Sequence, residues 1–245
     1  MQTFTITFCE TAENHVGMEK IGNSVDNGFS CEELLNIHNK YPSFTEYYKL
    51  NTIPEQQEAS ILVIRNALFS FGIDHLALFR EQDQLNKDKH ALMKGKVCNK
   101  KARWNLCFSD YDQEPNYELG KGTIINFNRT PLLNELRSKL HWVFGNKAYN
   151  LNAEGNYYYD LSQCYIGYHG DAERKRVIGV RLGYSMPLHI RWYINSQQYG
   201  EKVTIMLNSG DMYVFSEKAV GTDWKKRSIF TLRHAAGFNS KNFTA

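Results

Sequence analysis

The sequence predicts an α+β chain in which helices from an N-terminal part pack on an all-β sandwich or jelly roll. Two observations predict it. Up to about residue 150 the apolar residues recur mainly at helical spacing, with strands at the edges. Beyond that point the period falls to two, in short segments separated by Gly183, Pro187, Gly200, Gly210 and Gly221. Helices first and strands afterwards, with no βαβ alternation, also argue against a Rossmann-type sheet. A chain of 245 residues is one large domain or a core with an extension. Residues 1–120 are expected to be an extension integrated with the core, and residues 121–245 the core itself.

Each element has its own signal. Met1-Gln2-Thr3-Phe4-Thr5-Ile6-Thr7-Phe8 alternates polar and apolar without a basic residue, which reads as a strand and not as a signal peptide. Ser30 followed by Glu33 is a capping box, opening a short helix through Leu34, Leu35 and Ile37. A longer helix is expected after Pro54, with Ile61, Leu62, Ile64, Arg65, Leu68 and Phe71 on one stripe and Gly72 at its end. A strand over residues 104–108 would bury Trp104, Leu106 and Phe108 on one face. Thr130 as N-cap and Pro131 at the first helical position start a third helix, which carries Leu133, Leu136, Leu140 and Phe144 and stops at Gly145. Strands are then expected at residues 156–160, 165–169, 176–182, 188–194, 202–207, 211–215 and 229–234.

Composition excludes several classes. With 42% hydrophobic and 22% charged residues, the chain is neither disordered nor fibrous. No apolar run approaches the ~20 residues that span a bilayer, so no membrane partner is expected. Five cysteines (9, 31, 98, 107 and 164) have no close metal spacing. They fit a reduced intracellular protein of the cytoplasm or nucleus, with Cys164 a buried core thiol. The net charge of +3 is unevenly spread. Lys94, Lys96, Lys100, Lys101 and Arg103 fall in residues 94–109 without an acid. Lys218, Lys225, Lys226, Arg227, Arg233 and Lys241 face only Asp223 in residues 218–245, which leaves the remaining chain net acidic. Such segregation marks either a polyanion-binding face or solvated basic loops.

The constellation that carries chemistry is His169-Gly170-Asp171, at the end of an expected strand. Side chains two apart on an extended segment project the same way and can take adjacent positions on one metal ion. An imidazole and a carboxylate joined by a distant second histidine form the facial triad of non-haem iron(II) oxygenases, which leaves three metal positions free.

The surroundings sharpen this. Asn156-Tyr157-Tyr158-Tyr159 leads into Tyr165-Ile166-Gly167-Tyr168-His169-Gly170-Asp171-Ala172-Glu173-Arg174, then into the apolar Val177-Ile178-Gly179-Val180-Arg181-Leu182-Gly183. Further on comes Leu207-Asn208-Ser209-Gly210-Asp211-Met212-Tyr213-Val214-Phe215. This pattern resembles the AlkB family of iron(II)/2-oxoglutarate dioxygenases, over about residues 150–234. The stretches Ser216-Glu217-Lys218-Ala219 and Thr231-Leu232-Arg233-His234-Ala235-Ala236-Gly237 are similar to uncharacterised oxygenase-like proteins of large viruses and protists. The resemblance implies a double-stranded β-helix core, Fe(II), 2-oxoglutarate as cosubstrate and O₂. It implies metal ligands at His169, Asp171 and a distal histidine, for which His234 is the candidate, with His189 as fallback on an alternating strand that turns it away from the core. A competing alignment places Lys226, in Asp223-Trp224-Lys225-Lys226, where the family carries its histidine. On that alignment the metal site would be incomplete.

The family also implies a basic anchor for the distal carboxylate of 2-oxoglutarate. Lys241 is the candidate if His234 is the ligand; Arg227 and Arg233, six apart, echo the family's arginine pair. Tyr158, with Asn156 before it, matches the family's Asn-x-Tyr and can donate to the same carboxylate or simply pack. A nucleic-acid base or nucleotide is the implied substrate. Arg174 and Lys175 beside the metal would grip phosphate or cap the strand, and Lys100, Lys101 and Arg103 with Trp104 would form a basic strip on which bases stack. The same chemistry on a protein side chain or small molecule, or a jelly-roll binding module that has lost its metal, are the alternatives.

Overall fold

The alternating first segment forms strand β1 (Thr3–Cys9), and both of its faces are buried. Phe4, Ile6 and Phe8 enter the largest apolar cluster, while Thr3, Thr5 and Thr7 project from the opposite face. The structure is a computed structural model that describes residues 1–51 and 55–238. β1 pairs antiparallel with β10 (Asn152–Tyr158) on one side and β12 (Ile178–Gly183) on the other. Around it runs an eight-stranded sheet, in the order β4 (Thr45–Lys49), β5 (Ser60–Ile64), β15 (Met212–Phe215), β12, β1, β10, β8 (Trp104–Ser109), β9 (Ile124–Asn126). Only the β8–β9 pair is parallel.

A second, antiparallel sheet has the order β11 (Ile166–His169), β16 (Thr231–Ala236), β13 (Met186–Ile194), β14 (Gln197–Leu207). Two hairpins complete the strands, β2 (Thr11–Glu13) with β3 (Lys20–Gly22), and β6 (His90–Met93) with β7 (Lys96–Asn99). Neither large sheet closes on itself among the described residues.

Two cores follow from strand alternation. On the outer face of the large sheet, Leu34 of α1 (Cys31–Lys40), Leu68 of α2 (Ala67–Ser70), Leu78 of α3 (His75–Asp83), and Leu133 and Leu136 of α4 (Pro131–Lys139) join the Phe4–Ile6–Phe8 cluster. Between the sheets, Ile61 and Val63 of β5, Phe215 of β15, Leu188 and Ile190 of β13, and Leu232 of β16 form the second cluster. Burial on both faces is what makes a strand read as a continuous apolar run. Two short helices, α5 (His141–Phe144) and α6 (Glu217–Val220), close the set. No described helix is long and apolar enough to cross a membrane.

The fold is α+β, with more strand in its first half than the periodicity suggests: β1 to β9 all precede residue 150. The capping box at α1 forms in full, with the Glu33 amide donating to Ser30 Oγ at 3.0 Å and the Ser30 amide to Glu33 Oε2 at 2.7 Å. At α4, Pro131 takes the first turn, but the Thr130 side chain makes no capping bond. The long helix expected after Pro54 does not exist. Its apolar run is β5, buried on both faces between β4 and β15, and only residues 67–70 turn helical. Three consecutive β-branched or γ-branched residues at Ile61–Leu62–Val63 suit a two-sided strand, and an unbroken apolar run does not reveal its period.

Candidate metal centre

β11 ends on His169, and β16 runs antiparallel beside it, so that His169 and His234 stand opposite one another. Directly opposed residues share a face with Cβ atoms about 4.5–5.5 Å apart, and here the ring centroids are 4.4 Å apart. The chain then turns back at Gly170, which is packed against the loop after α6. A Cβ at Gly170 would lie 2.1 Å from the Gly221 carbonyl oxygen and 2.7 Å from Trp224 Cβ. Gly221 caps α6 at φ +76°, and the Asp171 amide donates to the Val220 carbonyl at 3.0 Å. This returns Asp171 to the histidines, its Oδ1 lying 3.5 Å from His169 Nε2 and 3.7 Å from His234 Nε2. Gly170→Ala is therefore expected to cost about 1–3 kcal/mol by overpacking and to weaken metal binding at the same time. Urea unfolding and a metal titration read the two effects, and wild-type values in both would show that the loop has room.

One donor atom from each of the three side chains lies within 4.8 Å of the other two, and the group can hold a metal ion. Two details fit that use. The Nδ1 of His169 lies 2.8 Å from the Gly167 carbonyl, so Nδ1–H donates there and the Nε2 lone pair is left for a ligand role. His234 is buried, and its Nδ1 has no hydrogen-bond partner. Burial, together with the neighbouring His169 and Arg174, pushes the His234 imidazole well below its usual range, which keeps it neutral and able to coordinate. Two imidazoles and one carboxylate are the donor set of a facial triad, and oxygen- and nitrogen-rich sites of this kind suit iron(II).

The triad opens on a cavity of about 90 Å³ between the sheets, room for several water-sized groups. Its far wall is the polar face of the large sheet: Thr5 and Thr7 of β1, Asn156 and Tyr158 of β10, Arg181 of β12 and Tyr213 of β15. Gly179 makes space for this wall, since a Cβ there would lie 2.1 Å from Tyr213 Cζ. The rim includes Glu13, Asn14, His15 and Val16 from the β2–β3 hairpin.

Arg174 is turned inward. Its guanidinium meets Glu154 at 2.6 Å, Glu173 at 2.5 Å and Asp171 at 4.0 Å, with only about a twentieth of its side chain exposed. Burial alone would raise the Glu154 carboxyl; the charge and hydrogen bond of Arg174, with help from Arg103 and Asn156, bring it below the ordinary value. Glu173, with burial dominant, is held above it.

Lys100 is also internal. Its Nζ donates to Asn14 Oδ1 at 2.6 Å, and Asn14 Nδ2 to Asp88 Oδ2 at 2.6 Å, which ties down the rim hairpin. Burial brings the Lys100 ammonium down to about 8. A lysine lowered from about 10.5 destabilises the folded state while charged, and that cost fades as pH rises from 8 towards 10.5. The wild type is thus expected to gain up to about 3 kcal/mol relative to Lys100→Met over that interval. Parallel unfolding curves for both proteins at pH 7.5 and pH 10 read the difference; a constant offset would be incompatible with it.

The remaining residues named from the sequence fall into distinct places. Asn156 and Tyr158 line the cavity, Asn156 accepting from Arg103 Nε at 2.5 Å and Asn105 Nδ2 at 2.9 Å. Arg233, one residue before His234, packs over the Tyr193 ring at 4.1 Å and does not line the cavity. Arg227 is exposed, also away from the cavity. Lys241 lies outside the described residues. Lys101 is exposed, and Lys175 lies 3.3 Å from Glu217. Trp104 stacks on Tyr159 at 4.3 Å, with Lys89 over its ring. Lys226 is exposed and Cys164 is buried. His189 is buried, not turned outward, with its ring nitrogens 3.0 Å from Thr204 Oγ1 and the Gly237 carbonyl. The antiparallel pairing of β13 with β16 places it opposite Ala235, away from the triad. Sequence reasoning missed Arg181, Glu154 and Tyr213. Arg181 had a signal: it is the one charge inside the apolar run Val177–Leu182.

No family model matches the chain. The chain is 45% identical, over 245 aligned positions that span 96% of each sequence, to the uncharacterized protein R156 of Acanthamoeba polyphaga mimivirus.

Proposed function

This chain belongs to one family with the mimivirus protein R156, and we propose that it is an AlkB-like, Fe(II)- and 2-oxoglutarate-dependent dioxygenase. The observation that carries the reading is the convergence of His169, Asp171 and His234 at the mouth of a polar cavity. Two sheets, one antiparallel and the other antiparallel but for its β8–β9 edge, contribute to the lining of that cavity and support a jelly-roll core as its scaffold. When bound, iron with 2-oxoglutarate and O₂ supplies oxidation of a C–H bond, with one oxygen atom entering the substrate and the other entering succinate as CO₂ leaves.

The chain's own residues do the rest. His169, Asp171 and His234 hold one side of the ion. Gly167 fixes the tautomer of His169 through its carbonyl. The cavity wall keeps bulk water from the free side, and the rim hairpin, tied by Asn14 to Lys100 and Asp88, shapes the entrance. Titration of anaerobically purified protein with Fe(II) is expected to give one tightly held ion per chain, and the loaded protein to release succinate from 2-oxoglutarate. Absence of stoichiometric binding would end the reading.

For substrate, the reading is a nucleic-acid base or nucleotide. Lys94, Lys96 and Lys101 in one basic segment and Lys225, Lys226 and Arg227 in the other are all exposed, as phosphate contacts must be. A base reaching a buried cavity must leave its stack, so single strands are the better target. Affinity for short single strands should fall steeply with salt. A second reading, the same oxidation on a protein side chain or small molecule, is favoured by the inward capture of Lys100 and Arg174. Succinate release stimulated by peptides or metabolites and not by oligonucleotides would select it.

A further inference from the structure

The helices do not cover the outer face of the large sheet completely. Where α1, α2 and α5 meet the β4–β5 edge, an open groove of about 210 Å³ is lined by Tyr41, Phe44, Ile64, Phe71 and Val143, with Thr45 and Ser70 as its small hydroxyl side chains. It belongs to the outer apolar cluster, across the sheet from the triad, and shares no residue with the metal cavity. Phe44 is 61% exposed and Tyr41 40%. Phe69 and Trp142, which directly precede the groove residues Ser70 and Val143, are 78% and 68% exposed. At about 150–250 Å² per aromatic side chain, these four rings leave about 500 Å² of mainly apolar surface in water. That is towards the upper end of the largest patch on a typical monomer, about 300–600 Å².

Three features select what covers it. The charges around the groove are largely neutralised within the chain: Arg65 meets Glu46 at 2.8 Å, Lys139 meets Glu135 at 2.5 Å, and the Lys40 ammonium lies 5.2 Å from the Tyr41 ring centroid. A polyanion or an acidic segment finds no cationic cluster to meet here. The face also carries both projecting rings and a groove with room for one, since an apolar cavity of about 150 Å³ takes up benzene. A patch that holds projection and recess together is complementary to itself, as a two-fold interface requires. The area agrees. Two copies of the patch bury about 1,000 Å² from these rings alone, and the polar rim supplies the remainder of a standard interface of about 1,600 Å².

We propose that this face is the interface of a two-fold symmetric dimer of the chain, in which the exposed rings of each copy cover the groove of the other. The inference does not depend on the oxygenase reading, because no residue of the metal cavity takes part.

The test is sedimentation velocity on the full chain, with hydrogen exchange at high and low protein concentration. At about 50 μM, above the micromolar end of the range that interfaces of this size span, the wild type is expected to sediment as a dimer and to gain protection in α2 and α5. Phe44→Asp and Trp142→Asp should each weaken self-association roughly thirtyfold or more, the scale of an aromatic hot spot. Both side chains are exposed, so both variants should keep the monomer's melting curve. Leu119→Asp, at a residue 70% exposed on the turn beside the β6–β7 hairpin, should leave the dimer intact. A folded wild type that stays monomeric at that concentration overturns the proposal, and so does a dimer that survives both aromatic substitutions. Protection of α2 and α5 gained only when phosphatidylcholine vesicles are added to a monomeric wild type would assign the face to lipid, and equally overturn it.

Discussion

Asp171→Ala is expected to abolish both stoichiometric Fe(II) binding and turnover of 2-oxoglutarate while leaving the fold intact. The carboxylate is the only negative donor of the triad, and both imidazole Nε2 atoms face its Oδ1, at 3.5 and 3.7 Å. Removing it leaves two imidazoles, one ligand fewer and no negative charge to balance the divalent ion. The structural cost is small, because Asp171 is joined to Arg174 only at 4.0 Å, and that guanidinium keeps Glu154 and Glu173. Its backbone bond to Val220 does not involve the side chain. The measurement is iron content together with succinate release and a melting curve. Retained turnover would mean that the metal is held elsewhere; loss of the melting transition would mean that Asp171 is structural.

Arg174→Leu is expected to have the largest effect on stability, about 3–5 kcal/mol, the range for removing one partner of a buried ion pair. The leucine leaves Glu154 and Glu173 buried side by side without their common cation. The pH dependence gives the sign. In the wild type, Glu154 is held below its ordinary value, so its contribution is present above the unfolded carboxylate pKa and is lost as pH falls through the folded one. In the variant the main opposition to burial is gone, with Arg103 and Asn156 left to act on Glu154, so the carboxyls rise and protonation relieves the cost. The gap between the two proteins should therefore narrow as pH is lowered from 7.5 towards 5. Urea unfolding at the two pH values measures it, and a gap that stays the same would mean that Arg174 acts through packing alone.

Much of the site was legible because it is local in sequence. His169 and Asp171 are two residues apart on a strand end, and the glycine between them is the only residue that fits against Gly221 and Trp224. The strands after residue 150 could be read because alternation and glycine separators coincide. The run Ile61–Ile64 could not, because its two faces are both apolar and the signal of period is lost. Lys100 and Arg174 illustrate a second limit. A basic residue reads as a surface charge until the groups that enclose it, Glu154 for Arg174 and Asn14 for Lys100, are brought in from other segments.

The sequence by itself determined the local elements: an alternating first strand, a capped α1, a proline-started α4, a β-rich second half and the His-x-Asp pair. Those follow from backbone preference and side-chain periodicity, which act over a few residues. Only the tertiary structure decided that β1 lies between β10 and β12, which gives its Thr3, Thr5 and Thr7 face to the interior. It alone decided that β16 pairs with β11 to set His234 opposite His169. These pairings join residues from 65 (His169 and His234) to 180 (Thr3 and Gly183) positions apart, and no short-range preference encodes which strands meet.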